Sequence, residues 1–274
     1  MFLDADDYLH PDAVATVAQA WQSNRIEPHG FSWAMLHCRL DLVDAEGQYI
    51  DQHPAPEVAF SRGNVVPLLL QTGQYSTTVT SGLSFHRAAL TNVLPIPEED
   101  FRICADGYLV TVVPFYGLVG AVETSIGGRR KHEENLWATG DASVKQLHRA
   151  IQHDLVRYHH LSQVAKTTGH SPEQPLGHRD PWHLTQCLAF LRLSGYHHLQ
   201  PSERPMRLAW QGIQATWCYG PYSAKRRLIL MVWFLLVGLV PQHWAEPIVR
   251  WRLFRQSRPA SIHRMLKSLR ASTQ

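Results

Sequence analysis

Residues 2–12 of the sequence read FLDADDYLHPD. Two apolar residues, Phe2 and Leu3, run directly into a cluster of aspartates, a pattern typical of a buried strand that ends in charged residues. Ligands of open α/β sheets bind at the carboxyl ends of the strands. We therefore expect an α/β fold in which Phe2 and Leu3 end a buried strand and the aspartates line the binding edge.

The patterns that follow alternate between helix and strand. Pro11-Asp12 and the apolar residues after it predict an amphipathic helix from Ala13. The turn signal Asp44–Gly47 predicts a strand on either side of it within residues 31–50. We further expect short helices at 65–70 and 106–116, an extended segment at 77–85, a strand at 118–126 and a long amphipathic helix from Val144.

Charge and composition change along the chain. Residues 1–200 contain 14 Lys/Arg against 21 Asp/Glu, whereas residues 201–274 contain 12 against 2. The best linker candidate is 167–181, which is rich in Gly, Pro, His and Ser. We therefore divide the chain into residues 1–165 and a mainly helical extension, 166–274. The basic tail favours an anionic partner, and because no nucleic-acid motif accompanies it, we expect a membrane surface rather than nucleic acid.

One apolar run in the tail allows two interpretations. It extends from Leu228 to Val240, behind Lys225-Arg226-Arg227 and ahead of Pro241. A helix of this length covers about 20 Å, well short of the ~30 Å hydrocarbon core of a bilayer. Its basic flank and nearby tryptophans favour a helix lying in the membrane surface. The alternative is a buried core helix with a solvated basic face.

Cysteines and the amino terminus bear on location. Cys38, Cys104, Cys187 and Cys218 lack paired spacing, so the sequence signals neither a zinc site nor a disulfide framework. Met1 is followed by neither a basic region nor an apolar signal run. We expect a cytoplasmic protein, peripheral at the inner face of the membrane if the tail binds lipid.

The first chemical motif is Asp4-x-Asp6-Asp7. Closely spaced carboxylates can hold a hard divalent cation such as Mg²⁺ or Mn²⁺ through oxygen ligands. Such a cation can bridge two phosphates and neutralise the charge that builds on a departing diphosphate. Aspartate-rich turns also serve as caps or solvated loops, and this second interpretation stays open from the motif alone.

With residues 2–12 in view, the chain resembles the family 2 glycosyltransferases of the GT-A fold, whose DxD segment looks like this stretch. The resemblance implies a Rossmann-like mixed sheet, a metal held by Asp4 and Asp6, and a donor contact at Asp7. Thr80–Arg87 is similar to the acceptor-side loop of that family, which implies that the acceptor-binding residues include Ser81, Gly82 and Arg87.

Two further segments carry the resemblance. Residues 97–109 look like the segment with the catalytic carboxylate, which implies Asp106 as general base and Tyr108 as a substrate contact beside it. Many members have an acidic pair there, and Ala105 replaces the first acid. The alternative role for Asp106 is a helix N-cap. The element Arg130-x-His132-x-x-Asn135 is similar to one that follows the last strands in many members, and it implies a metal ligand at His132 and donor contacts at Arg130 and Asn135.

The resemblance implies an inverting transfer of sugar from a nucleotide-sugar donor to a carbohydrate or glycolipid acceptor, with Mn²⁺ or Mg²⁺. In the family several β-α units that bind the nucleotide precede the DxD segment, and none precedes Phe2 here. We therefore expect a truncated chain, or one that needs a partner chain for the missing half. By itself it would be poorly soluble and inactive in sugar transfer. The alternatives are an inactive membrane-surface or scaffold remnant and a haloacid dehalogenase-like phosphatase.

Overall fold

The structure is a computed structural model that describes residues 1–23, 32–131, 144–172, 175–194 and 204–253. The chain divides into two compact units, which are treated separately below. Unit 1 comprises Met1–Ala138 and Leu155–Leu176, and unit 2 comprises Thr139–Asp154 and Gly177–Gln274. The division at residue 165 that the sequence suggests stays a prediction.

Unit 1 contains a mixed sheet of five strands, which confirms the α/β class. The strands are β1 (Tyr8–Leu9), β2 (Trp33–Val43), β3 (Tyr49–His53), β4 (Leu83–Phe85) and β5 (Leu118–Arg130). Their order is β1-β5-β2-β3, and β4 also pairs with β2. The central pair β2 and β5 is parallel, and the other pairs are antiparallel.

Strand β2 lies in the middle of the sheet, and most of its residues are buried on both faces. Met35 packs in one apolar cluster with Leu83 and Val119, whereas Leu36 and Leu40 pack in another. Near-continuous burial of this kind is typical of a strand covered on both sides. The buried strand β2 therefore fixes the positions of β3, β4 and β5, which pair with it.

The helices confirm most expectations. Those of the first part are α1 (Ala13–Ser23), α2 (Val66–Thr72), α3 (Arg87–Thr91), α4 (Glu98–Phe101) and α5 (Ala105–Val112), and α6 (Val144–Thr167) contributes residues to both units. Two expectations are wrong. The segment 77–85 is a strand only in its last three residues, after a 3-10 turn at Thr80–Gly82. Phe2 and Leu3 are exposed and belong to no strand, because the chain turns at once through a hydrogen bond from Asp7 N to Asp4 O.

Unit 2 confirms a mainly helical C-terminal part. Its helices after α6 are α7 (Pro181–Leu193), α8 (Pro205–Tyr219), α9 (Ala224–Leu239) and α10 (Gln242–Leu253). The core of the unit includes Leu188, Phe234 and Val237. Helix α9 contains most of the apolar run of the tail and buries one of its faces in this core. In the described part of the chain, every helix is too short or too polar to cross a membrane.

Candidate functional site

The aspartate turn is fixed against the end of β5 by two glycines. Tyr8 pairs with Gly128, and Leu9 pairs with Gly127. A Cβ atom at Gly127 would lie 2.2 Å from the Tyr8 carbonyl oxygen, so only glycine permits this approach. The turn that carries Asp4 to Asp7 is therefore held at the sheet edge by backbone pairing.

Asp7 ties three segments of unit 1 together. Its Oδ1 accepts a hydrogen bond from the Arg130 backbone N–H at 2.9 Å, and its Oδ2 accepts one from the Ser81 hydroxyl at 2.6 Å. The Ser81 oxygen in turn accepts from the backbone N–H of Asp4 at 3.1 Å. Ser81 is fully buried. Asp7 and Ser81, expected as donor and acceptor contacts, thus position the aspartate turn in this structure.

Asp4 and Asp106 come within electrostatic range of one another. The pKa of Asp4 is raised above its ordinary value by partial burial, then by the negative charges of Asp7 and Asp106 and, more weakly, of Asp6. A hydrogen bond with the Thr80 side chain opposes this rise. Four carboxylates from two distant segments therefore form one acidic site at the surface of unit 1.

Asp106 is presented by the first turn of α5. Its Oδ1 accepts a hydrogen bond from the Gly107 N–H at 2.9 Å, and its side chain is half-buried. The N-cap of α5 is Cys104, so the alternative role of Asp106 as an N-cap is wrong. Cys104 has φ 74°, which costs a non-glycine residue about 1–3 kcal/mol. Strain of this kind is common next to functional residues.

Three expected acceptor contacts have other surroundings. Tyr108 packs in the core of unit 1, where its hydroxyl donates to the Val93 carbonyl at 3.0 Å, and its role as a substrate contact stays a prediction. Gly82 is buried, and a Cβ atom there would lie 2.7 Å from the Cys38 carbonyl oxygen. Arg87 is exposed at the start of α3.

Of the motif Arg130-x-His132-x-x-Asn135, the structure describes only Arg130. Its Nε donates to the Asp6 carbonyl at 3.1 Å and its Nη1 to the Ala45 carbonyl at 2.6 Å, so the side chain braces the aspartate turn. His132 and Asn135 lie outside the described residues. Within the residues that are described, no three His, Cys, Asp or Glu side chains are arranged to hold a metal ion. The metal site of Asp4, Asp6 and His132 therefore stays a prediction.

Sequence reasoning missed a polar pair in the same unit. His160 Nε2 lies 2.7 Å from Asp100 Oδ2, and its ring packs edge-on against Phe101 and Tyr108. Thr80, whose side chain bonds Asp4, was also missed as a site residue. Neither contact has a signal in the sequence, because each partner comes from a different element.

Comparison with known proteins gives one match. Over 135 residues the chain is 29% identical to a protein of Nostoc sp. named as an uncharacterized glycosyltransferase. The aligned region covers 49% of this chain and 39% of that protein, so the chain spans about two fifths of the length of the relative. No family model and no solved structure matches the chain.

Proposed function

We propose that this chain carries the metal- and acceptor-binding part of an inverting family 2 glycosyltransferase of the GT-A fold. The substrates would be a nucleotide-sugar and a hydroxyl group of a carbohydrate or glycolipid acceptor. The observation that carries the proposal is the aspartate turn, which Ser81 and Arg130 fix through Asp7 and in which Asp4 lies within electrostatic range of Asp106. The similarity to a protein named as a glycosyltransferase supports it.

A divalent cation, Mn²⁺ or Mg²⁺, fits the chemistry of the donor set. Partial burial, and then the negative charges of Asp7 and Asp106, raise the pKa of Asp4, and a bound cation would stabilise the ionised Asp4 carboxylate. Asp4 and Asp6 would hold the ion together with His132. When bound, the ion would neutralise charge on the departing diphosphate. Asp7, Arg130 and Asn135 would complete the donor side.

Asp106 would act as the general base. The hydrogen bond from Gly107 N–H orients its carboxylate. As the acceptor oxygen attacks the anomeric carbon from the face opposite the diphosphate, its proton passes to Asp106. The bond from the anomeric carbon to the diphosphate breaks in the same step, which inverts the configuration.

The decisive test compares Asp106→Asn with Asp12→Asn, an exposed aspartate close to the same motif. The protein is tagged and purified from its own cells so that any partner chain is retained. We expect Asp106→Asn to lower turnover of the nucleotide-sugar by about 100-fold to 10,000-fold. Affinity for Mn²⁺ and nucleoside diphosphate should change far less than turnover in Asp106→Asn and stay unchanged in Asp12→Asn. Near-normal turnover in Asp106→Asn would contradict the proposal.

A further inference from the structure

Helix α9 is apolar on two opposite faces. One face lies in the core of unit 2 and includes Leu230, Trp233, Phe234 and Val237. The other face is exposed, with relative accessibilities of 41–61%, and consists of Leu228, Ile229, Val232, Leu235, Leu236 and Leu239. These positions are three or four residues apart, so they form a continuous stripe along the helix.

Helix α8, which packs against α9, also exposes large apolar side chains. Met206, Trp210 and Trp217 follow helical spacing and are 61–64% accessible. In α10, Trp244 is 64% accessible. We call the α9 stripe and these four residues the apolar helical surface. The α9 stripe by itself is a continuous exposed apolar patch, and patches of this kind mark interaction sites in folded proteins.

Basic groups border the apolar helical surface. Lys225, Arg226 and Arg227 occupy the first turn of α9, at one end of the stripe. The Arg226 guanidinium lies 4.9 Å from the centre of the Tyr222 ring, and Arg227 Nη1 donates to the Trp217 carbonyl at 3.4 Å. Residues 201–274 carry 12 Lys/Arg and 2 Asp/Glu. The apolar stripe thus belongs to a strongly basic segment of the sequence, and its first turn carries three of the basic residues.

We propose that the apolar helical surface docks on an anionic lipid bilayer, with α9 lying in the plane of the interface. Leucines would enter the acyl region, tryptophans would lie at the headgroup level, and the basic first turn would contact anionic headgroups. A second copy of the chain fits less well, because pairing would bring two regions of positive charge together. This proposal does not depend on the glycosyltransferase assignment.

Flotation with lipid vesicles tests the proposal, because bound protein rises with the vesicles whereas aggregated protein sediments. The vesicles contain phosphatidylcholine with phosphatidylserine, or phosphatidylcholine alone. We expect the full chain to float with the anionic vesicles and to be released by salt. The double variants Leu235→Ser/Leu239→Ser and Lys225→Ser/Arg226→Ser should each lower the affinity for the anionic vesicles by about tenfold or more.

The matched control is Val14→Ser, which removes an apolar side chain that is 65% accessible on α1 of unit 1. It should float like the unchanged protein, and circular dichroism should show that all variants keep their helical content. Three results would overturn the proposal. They are no flotation of the unchanged protein, equal flotation with both vesicle types, and conversion of a vesicle-free dimer to monomer by Leu235→Ser/Leu239→Ser.

Discussion

Ser81 joins two segments of the acidic site through a single hydroxyl group. The buried Ser81 hydroxyl donates to the Asp7 carboxylate and accepts from the Asp4 N–H, and both hydrogen bonds are partly buried. A hydrogen bond to a charged group contributes about 1.5–3 kcal/mol. The fixed position of the aspartate turn thus depends on a residue that need not touch a substrate.

The first prediction follows from this contact. Ser81→Ala should lower the free energy of unfolding by about 1.5–3 kcal/mol, because the partly buried Asp7 carboxylate loses a hydrogen-bond donor. Urea unfolding measures the change. Ser23→Ala serves as control, since that exposed hydroxyl bonds only to carbonyls of its own helix, and its effect should stay below about 0.5 kcal/mol. An equal effect of both substitutions would show that Ser81 has no special role.

We expect the charge of Asp4 to lower the free energy of unfolding in the absence of metal and to contribute to metal binding. Its pKa is raised in the folded state, so the folded chain binds more protons than the unfolded chain above pH 3.8, and ionisation of Asp4 destabilises the fold at neutral pH. Asp4→Asn should therefore raise the melting temperature in the absence of metal. Mn²⁺ at a hundred times its Kd should stabilise the unchanged protein by about 2.7 kcal/mol and leave Asp4→Asn unaffected.

Differential scanning fluorimetry with and without Mn²⁺ separates these effects, and Asp12→Asn is the control. That variant should keep both the melting temperature and the Mn²⁺ response of the unchanged protein. A Mn²⁺ shift that survives in Asp4→Asn would remove Asp4 from the metal site.

Among the helices, α7 and α6 are joined by a row of buried polar side chains. His183 Nδ1 lies 2.9 Å from Asp154 Oδ2 of α6, and its Nε2 lies 3.4 Å from Cys187 Sγ. Burial alone would lower the pKa of His183, but the hydrogen bonds with Asp154 and Cys187 raise it to about 10. The protonated imidazole is therefore the form that holds α6 and α7 together in unit 2.

The raised pKa of His183 predicts that the stability of unit 2 depends on pH. Because the folded pKa lies above the unfolded value of 6.5, the stabilisation is fully present below pH 6.5 and is lost as the pH rises to about 10. The loss should amount to roughly 2–5 kcal/mol. The His183→Asn variant should be less stable than the unchanged protein at pH 6.5. Its free energy of unfolding should also fall less as the pH rises to about 10. A parallel decline in both proteins would assign the effect to other groups.

Elements with long periodic patterns could be predicted from the sequence, whereas contacts between elements could not. The apolar spacing after Ala13 and the turn signal before Tyr49 gave α1, β2 and β3. Phe2 and Leu3 looked like a strand end because apolar residues before acids have that pattern, but a strand also requires a paired neighbour. The partnership of Asp7 with Ser81 has no local signal, because it depends on how the sheet brings the two segments together.

At the scale of the whole molecule, the two units have opposite pH responses. In unit 1, burial and the nearby positive charge of Arg62 lower the pKa of His37 to about 4, and burial and Arg129 do the same for His53. Both histidines are neutral in the fold and must become charged below pH 6.5 in the unfolded chain. Unit 1 therefore loses stability as the pH falls from 6.5 to about 4, whereas the His183 contribution to unit 2 is lost above pH 6.5.

We predict that the unit that unfolds first depends on pH. Each of the two histidines should cost unit 1 roughly 3 kcal/mol by pH 4, since one pKa unit corresponds to about 1.4 kcal/mol. Brief proteolysis during mild denaturation, followed by mass spectrometry, identifies the first cleaved segment. Near pH 4.5 the first cuts should fall between β2 and β5 of unit 1, and near pH 9 between α7 and α10 of unit 2. His53→Phe, which removes one titrating group, should reduce cleavage at acid pH and leave cleavage at pH 9 unchanged. The same cleavage order at both pH values would mean that these histidines do not set the stability of their units.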